Sequence, residues 1–312
     1  MWVKFFEKID KNSVREAGGK GASLGEMARA GILVPPGFVV LASAFDRFLN
    51  ETELDADIEA ILKKVNHKDL NSVDKASAEI RAMIAEEVMP RDLRVEILTN
   101  FKKLHSEVVA VRSSATAEDS KIASWAGELE TYLNVTEKNL VKSVMKCWSS
   151  LFTPRAIFYR FEKKLHRKPV SVAVIVQKMI QSEVSGICFT VHPVTKDRNQ
   201  MVIEAGFGLG EAIVGGQITP DTYIVHKKDF SLLDINVSEQ KFYLKRSSRG
   251  GTIRANSSVS MAGKQKLTGR QIMELAKICK KIEQHYRHPQ DIEWAWAKGK
   301  FYITQSRPIT TL

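Results

Sequence analysis

The chain has 312 residues, of which 44% are hydrophobic and 27% are charged, so it is long enough for a globular fold of one large or two smaller domains. Its net charge of +11 makes nucleic acid a ligand class to consider, although neither basic stretch (residues 142–168 and 227–254) contains a nucleic-acid motif. Three isolated cysteines exclude a disulfide framework, and the lack of a long apolar run excludes a signal peptide or a membrane span, so we expect a cytoplasmic protein.

The first segment with a chemical role to consider is a predicted glycine-rich loop: residues 18–21 read GGKG and precede a predicted helix at residues 23–30. Backbone amides at the start of a helix bind phosphate, and Lys20 adds a positive charge. The spacing is not that of a P-loop, and a flexible turn with a solvated lysine explains the segment equally well.

Residues 44–104 are predicted to be helical, and a buried strand is predicted next, at residues 108–111. Arg112 follows directly at the end of this strand, where its guanidinium offers two parallel donors that suit a phosphate. The alternative is a structural salt bridge from Arg112 to Glu118 or Asp119.

Another strand is predicted at residues 128–135, and it begins within the sequence WAGELET of residues 125–131. Gly127 in that sequence permits a close approach of the backbone to a ligand, and the Thr131 hydroxyl suits a phosphate or a metal-bound water. A turn that leads into the strand is the structural alternative. After this strand, helices are predicted from residue 136 to about residue 166.

The second half of the chain is rich in strands and contains one long helix, which begins at a predicted capping box formed by Thr268 and Gln271. The predicted strands are residues 170–177, 185–191, 201–205, 223–226, 291–297 and 301–306. We place a subdomain boundary between residues 195 and 196, which gives domains 1–195 and 196–312. The glycine-rich residues 204–211 lack the last glycine of a dinucleotide fingerprint, so a mobile loop over phosphates is the remaining ligand-binding interpretation.

The last two predicted strands form a hairpin with four polar side chains. Asp291 and Glu293 share one face of the first strand, and Gln305 and Arg307 share one face of the second. If the two pairs meet, they offer oxygen ligands for Mg²⁺ and an arginine for phosphate. An exposed cross-strand ion pair is the structural alternative.

The turn of this hairpin decides whether the two pairs meet. A two-residue turn at residues 298–299 sets Glu293 opposite Thr304. A three-residue loop at residues 298–300 instead sets Glu293 opposite Gln305 and Asp291 opposite Arg307. We predict the three-residue loop, because it gathers all four polar groups.

Ten segments occur in the order typical of one protein family. They are GGKGASLGEM, VPPGFVV, AVRSSATAEDS, SWAGELETYLNV, VQKMI, SGICFTVHPVT, EAGFGLGEAIVGG, TPDTYIV, PQDIEWAW and YITQSRPIT. Together they resemble the ATP-binding domain shared by phosphoenolpyruvate synthase, pyruvate phosphate dikinase and rifampicin phosphotransferase, over nearly the whole chain. The resemblance implies an α+β fold of the ATP-grasp type, with two subdomains, ATP in the cleft between them, and Mg²⁺ as the metal.

The resemblance also implies a role for each candidate residue. Residues in the first part of the chain would hold the nucleotide: Lys20 and Arg112 bind phosphates, Gly127 and Thr131 line the triphosphate, and Gln177 lies at the adenine edge. Residues of the hairpin would serve the transfer: Glu293 and Gln305 face Mg²⁺, Arg307 reaches the transferring phosphoryl group, and Asp291 helps to position it. Lys20, Arg112 and Arg307 would neutralise the charge that develops during transfer.

The family also needs a phosphorylatable histidine on a separate swivelling domain, within a Thr-Ser-His-Ala-type segment. None of the seven histidines of this chain lies in such a segment. We therefore expect the phosphohistidine carrier domain and the acceptor-substrate domain on another chain, or outside this fragment. ATP is the expected small-molecule partner, and we expect neither a membrane nor a nucleic acid as a partner.

Several functions agree with this resemblance. The first is the ATP-binding module of a phosphoenolpyruvate-synthase-like dikinase, which VPPGFVV and FTVHPVT favour. The second is the corresponding module of a rifampicin-phosphotransferase-like enzyme, because QDIEW and QSRPITTL resemble that enzyme and phosphoenolpyruvate synthase equally. A non-catalytic nucleotide-binding regulatory protein is the third. A nucleic-acid-binding protein is a separate hypothesis, which only the net charge suggests.

Overall fold

The computed structural model describes residues 1–116, 130–163, 170–248 and 250–310, which form a mixed helix-and-sheet fold. The strands are β1 (Val3–Phe5), β2 (Gly37–Val40), β3 (Val109–Ala115), β4 (Thr131–Val135), β5 (Val172–Lys178), β6 (Val184–Phe189), β7 (Gln200–Phe207), β8 (Asp221–His226), β9 (Leu232–Asn236), β10 (Phe242–Arg246), β11 (Thr252–Asn256), β12 (Gln290–Ala297) and β13 (Lys300–Pro308). The helices are α1 (Val14–Arg29), α2 (Ala42–Glu51), α3 (Leu54–Lys63), α4 (Leu70–Glu86), α5 (Arg91–Lys103), α6 (Glu137–Ser149), α7 (Pro154–Glu162), α8 (Glu211–Val214), α9 (Val259–Ala262) and α10 (Gly269–Tyr286).

The chain divides into two compact units. The first contains Met1–Glu26 and Pro36–Met179, and the second contains Met27–Pro35 and Ile180–Leu312. The division therefore lies earlier than the expected boundary at residue 195, because β6 pairs with β7 and β12. The short segment Met27–Pro35 joins the second unit at β13, where the amide of Ile303 donates to the carbonyl of Leu33 at 2.9 Å.

The first unit is built on an antiparallel five-stranded sheet with the order β1-β2-β5-β3-β4. Alternate residues of its central strands, such as Val111 and Val174, are buried in one core with residues of the helices. Helix α6 contributes Trp148 to that core, where its ring lies 5.1 Å from the ring of Phe48 on α2. Because side chains alternate along a strand, the residues between these core residues project from the opposite face of the sheet.

The second unit is built on an antiparallel six-stranded sheet with the order β13-β12-β6-β7-β8-β9, and β10 and β11 form a separate two-stranded ribbon. Helix α10 contacts β7 and β12 and buries Leu275, Cys279 and Ile282. The capping box predicted for this helix is confirmed: the Thr268 hydroxyl accepts from the amide of Gln271, and the Gln271 side chain accepts from the amide of Thr268.

The three cysteines are free thiols, and all three are buried. Burial raises the pKa of Cys147 to about 12, which keeps this thiol protonated. In the parts of the chain that the structure describes, no helix combines the length and the hydropathy needed to cross a membrane.

Candidate functional site

Three of the predicted nucleotide-binding residues lie on one face of the first unit's sheet. Arg112 on β3 pairs with Thr131 on β4 and with Ile175 on β5, and Ala110 pairs with Gln177. Paired residues of antiparallel strands project to the same side, so Arg112, Thr131 and Gln177 share a face. Arg112 and Gln177 are buried, with exposed fractions of 8% and 3%.

The strand that carries Arg112 is longer than predicted. It continues to Ala115 instead of ending at residue 111, and all seven of its residues are buried. The reason is that β5 pairs with it along its full length. Arg112 therefore lies inside a strand, with β4 on one side and β5 on the other.

The segment around Gly127 belongs to residues 117–129, which lie outside the described residues. The structural position of Gly127 therefore stays a prediction. Thr131, the other residue predicted to line the triphosphate, is the first residue of β4 and is exposed.

The glycine-rich segment is helical apart from Gly18, whereas a loop was predicted for all four residues. Two helical stretches of α1 meet at a kink at Gly18, whose angles are non-helical, with φ at 69° and ψ at 171°. A Cβ atom on Gly18 would lie 2.2 Å from Oγ of Ser114, so this contact requires glycine. The Gly21 amide donates to the same Oγ at 3.2 Å, and Nζ of Lys20 donates to the carbonyl of Ser113 at 3.4 Å. These contacts bring Lys20 to β3.

The C-terminal hairpin has the predicted register but not the predicted turn. Lys300 pairs with Ala297, which leaves a two-residue turn at residues 298–299. Both turn residues have positive φ, 51° and 75°, as in a type I′ turn. Asp291 nevertheless pairs with Arg307, and Glu293 pairs with Gln305, because the register shifts by one residue next to Glu293.

Thr304 is the extra residue of this β-bulge. On the turn side of the bulge, Ile303 pairs with Trp294, and on the other side Gln305 pairs with Glu293, so Thr304 has no directly opposite residue on β12. The bulge supplies the extra residue that the sequence interpretation assigned to the loop. The four polar residues therefore share one face of the sheet.

Arg307 forms an ion pair with Asp291. Its Nε donates to Oδ2 at 2.8 Å, and Nη2 lies 2.7 Å from the same oxygen. The side chain of Arg307 is 39% exposed and that of Asp291 is 12% exposed. The carboxylate therefore holds the guanidinium while part of the Arg307 side chain still faces solvent.

The structure also identifies a carboxylate that the sequence interpretation missed. Glu293 pairs with Ile187 on β6, and Ile187 pairs with Glu204 on β7, so Glu204 lies on the same face as the hairpin residues. Burial raises the pKa of Glu204, and the charge of Asp291 raises it further. The signal in the sequence was a glutamate within the otherwise apolar run of β7.

The donor atoms of this face fit a magnesium ion that is also bound by phosphate. Among the described residues, no three His, Cys, Asp or Glu side chains are grouped so that they alone hold a metal. The paired Glu293 and Gln305 provide carboxylate and amide oxygens, which Mg²⁺ accepts. Mg²⁺ usually has few protein ligands and takes the others from water and phosphate, so two such residues are sufficient.

The glycine-rich loop after β7 is held to the rest of the second unit at its centre. The Gly208 carbonyl accepts hydrogen bonds from Oγ of Ser182 at 2.9 Å and Oγ of Ser185 at 2.6 Å. The side chain of Gln240 accepts from the Phe207 amide at 2.8 Å and donates to the Phe207 carbonyl at 3.0 Å. These bonds satisfy the backbone of a loop that has few side chains of its own.

Comparison with known proteins gives a match over nearly the whole chain. The model of the pyruvate phosphate dikinase AMP/ATP-binding domain matches residues 14–312. The full chain is 46% identical to a probable phosphoenolpyruvate synthase of Methanocaldococcus jannaschii, of which it covers 27%, and 46% identical to one of Archaeoglobus fulgidus, of which it covers 42%. Over 98% of its length it is 39% identical to rifampicin phosphotransferase of Bacillus subtilis, of which it covers 35%. The chain thus spans less than half the length of each of these relatives.

Proposed function

Because the chain belongs to the family of the pyruvate phosphate dikinase AMP/ATP-binding domain, we propose that it binds ATP with Mg²⁺ as the nucleotide-binding module of a phosphotransferase. The observation that supports this most strongly is the pairing of Asp291 with Arg307 and of Glu293 with Gln305 on one face of a sheet. An arginine beside carboxylate and amide oxygens is the combination that phosphoryl transfer requires. Assignment to the ATP-grasp fold is part of the same proposal.

In this proposal, the first unit binds the nucleotide. Lys20 and Arg112 bind phosphate oxygens, Thr131 and Gly127 line the triphosphate, and Gln177 contacts the adenine edge. The shared face of Arg112, Thr131 and Gln177 supports this assignment, because it presents them to one ligand. The side chain of Arg112 is buried, with 8% of its surface exposed, so little side-chain freedom is lost when phosphate binds.

The second unit, in this proposal, serves the transfer. Glu293 and Gln305 hold Mg²⁺, which when bound offsets the negative charge of the phosphates. Arg307 binds the transferring phosphoryl group, and its ion pair with Asp291 holds the guanidinium in position. Glu204, on the same face, joins the negative surface that attracts the metal.

The phosphoryl acceptor in this proposal is a histidine of a separate domain, as in a phosphoenolpyruvate-synthase-like enzyme of the cytoplasm. The 39% identity to a rifampicin phosphotransferase supports an alternative for the molecule that receives the phosphoryl group from that histidine. Both assignments leave the same role for this chain, since each concerns the acceptor and not the ATP-binding residues.

Isothermal titration calorimetry with Mg-ATP tests the proposal through Glu293→Ala. Removing this carboxylate takes away one of two metal ligands, so the Kd for Mg-ATP should rise at least tenfold, which is about 1.4 kcal/mol. The matched control is Glu274→Ala, which removes an exposed carboxylate from α10 and should leave the Kd unchanged.

Equal affinities of Glu293→Ala and wild type for Mg-ATP would show that the metal is held elsewhere. Failure of the folded wild type to bind Mg-ATP would reject the nucleotide-binding function itself. In that case salt-dependent binding to DNA, unaffected by ATP, would support the nucleic-acid function that the net charge suggests.

A further inference from the structure

A groove of about 420 Å³ lies on the first unit between the end of α4 and one side of α6. Its apolar lining includes Ile84, Met89, Val141 and Met145. Ile84, Met89 and Met145 are buried, so they form a recessed floor. Val88, at the end of α4, stands at the rim with 78% of its surface exposed.

The groove lies apart from the residues proposed to bind ATP. Helix α6 packs with Leu140, Val144 and Trp148 into the core on the Val111 side of the sheet. Arg112 follows Val111 in the same strand and therefore projects to the opposite side. A ligand in the groove contacts a different surface from the one proposed for the nucleotide.

The rim of the groove is strongly basic. Lys138, Lys142 and Lys146 follow one another at four-residue intervals along α6, and α5 contributes Arg94. Glu87 is the one carboxylate among the residues that line the groove in the described structure. Since residues three and four apart share a helix face, the lysines alternate there with the apolar lining of α6.

These four cations are not neutralised within the part of the chain that the structure describes. None of them forms an ion pair there with a carboxylate, and Lys146 has as its neighbour the ring of Tyr132, 5.4 Å from Nζ. Three lysines at four-residue spacing repel one another weakly, and a negatively charged partner turns that repulsion into attraction.

We propose that this groove is a docking site for an acidic amphipathic α-helix of a partner protein. Its carboxylates pair with the lysines of α6, and its apolar side chains enter the groove. The lysines repeat about every 6 Å along α6, and carboxylates at four-residue intervals on a neighbouring helix repeat at the same distance. The two methionines adapt to apolar side chains of differing shape.

Two other anionic partners fit the groove less well. A membrane surface needs several protruding apolar side chains, but Ile84, Met89 and Met145 are recessed and Val88 alone protrudes among the described lining residues. A single-stranded nucleic acid needs aromatic side chains for base stacking, and the described lining of the groove contains none.

Fluorescence anisotropy with a labelled helical peptide tests the docking site. The peptide carries glutamates at four-residue intervals on one side and leucines on the adjoining side. The groove variant combines Lys138→Glu, Lys142→Glu and Lys146→Glu, and it should weaken peptide binding at least about tenfold. The control variant combines Lys228→Glu, Lys241→Glu and Lys245→Glu, which changes the net charge equally at exposed lysines of the second unit. It should bind the peptide like wild type.

The apolar part of the docking site is tested by Val88→Asn. This side chain is so exposed that its replacement leaves the fold intact, and it should weaken peptide binding about threefold. Lack of saturable peptide binding by wild type, or equal weakening in the groove and control variants, would overturn the proposal. So would tighter binding of a single-stranded oligonucleotide or of phosphatidylserine vesicles, if the groove variant loses it.

Discussion

At the scale of single residues, Glu204 is a carboxylate whose neighbours change its chemistry. It is partly buried in the second unit's sheet, and both its burial and the charge of Asp291 raise its pKa. The folded state therefore holds a proton on Glu204 more tightly than the unfolded chain does. Ionisation of Glu204 consequently opposes folding in the absence of a cation.

The pH dependence of unfolding tests this effect. Stability should fall as pH rises from the ordinary carboxyl range through the raised pKa of Glu204, and Glu204→Gln should remove that fall. In urea unfolding without Mg²⁺, Glu204→Gln should match wild type at about pH 4 and exceed its stability by up to about 1 kcal/mol at about pH 8, since partial exposure screens the repulsion.

The control for that measurement is Glu211→Gln, which changes an exposed glutamate on α8. It should have little effect at either pH. A Glu204→Gln protein that is less stable than wild type at both pH values would show that the Glu204 carboxylate makes favourable contacts that outweigh its repulsion from Asp291.

At the scale of elements, the bulge at Thr304 determines which residues of the hairpin meet. A two-residue turn alone would set Glu293 opposite Thr304, and the bulge moves Gln305 into that position. It also reverses the alternation of β13, so that Ile303 and Gln305 project to opposite sides of the sheet although they lie two residues apart.

Deletion of Thr304 should therefore be tolerated. Without the extra residue, Gln305 follows Ile303 directly and still meets Glu293 in a regular ladder, so Mg-ATP affinity should stay within about threefold of wild type. Deletion of Ser306 is the contrasting variant: however the ladder adjusts, one of the two polar pairs is lost. It should weaken Mg-ATP binding at least about tenfold, measured by calorimetry. Equal losses in both deletions would mean that the added twist of the bulge is itself required.

The hairpin also shows what a sequence does and does not predict about this fold. The polar pairs were predictable, because their spacing on two strands fixes the faces that they share. The turn was not, because a loop residue and a bulge residue give the same register. The helical form of the GGKG segment was missed for a related reason: a single left-handed angle at Gly18 changes the chain direction where four loop residues were expected.

Strands β9, β10 and β11 had no clear signal in the sequence. All residues of β9 are exposed, although it pairs with β8 at the edge of the sheet, so apolar burial does not mark it. The ribbon of β10 and β11 likewise buries only Leu244. Strands held mainly by backbone hydrogen bonds leave little trace in side-chain patterns.

At the scale of the whole molecule, the residues proposed to bind Mg-ATP belong to both compact units. Arg112 is in the first unit and Arg307 is in the second. If each unit supplies groups that bind the nucleotide, Mg-ATP should stabilise the chain only when both groups are present.

Differential scanning fluorimetry tests this requirement through the shift of Tm that Mg-ATP produces. Saturating Mg-ATP should raise the Tm of wild type, since a ligand at 100 times its Kd contributes about 2.7 kcal/mol. Arg112→Gln and Arg307→Ala should each reduce the shift strongly, whereas Arg155→Ala and Arg270→Ala, at exposed sites of the two units, should keep it. A normal shift in either of the first two variants would remove that arginine from the proposed site.

The hydrogen bond between Leu33 and Ile303 has a consequence for folding during synthesis on the ribosome. Residues 27–35 are made about 270 residues before the strand that they join. Translation imposes a wait on the order of tens of seconds between the two. During that wait the carbonyl of Leu33 lacks its donor on Ile303, and its neighbours Ile32 and Val34, each 8% exposed in the finished fold, are not yet buried by the complete second unit. The nascent chain therefore presents a short apolar segment that chaperones can bind before the second unit is complete.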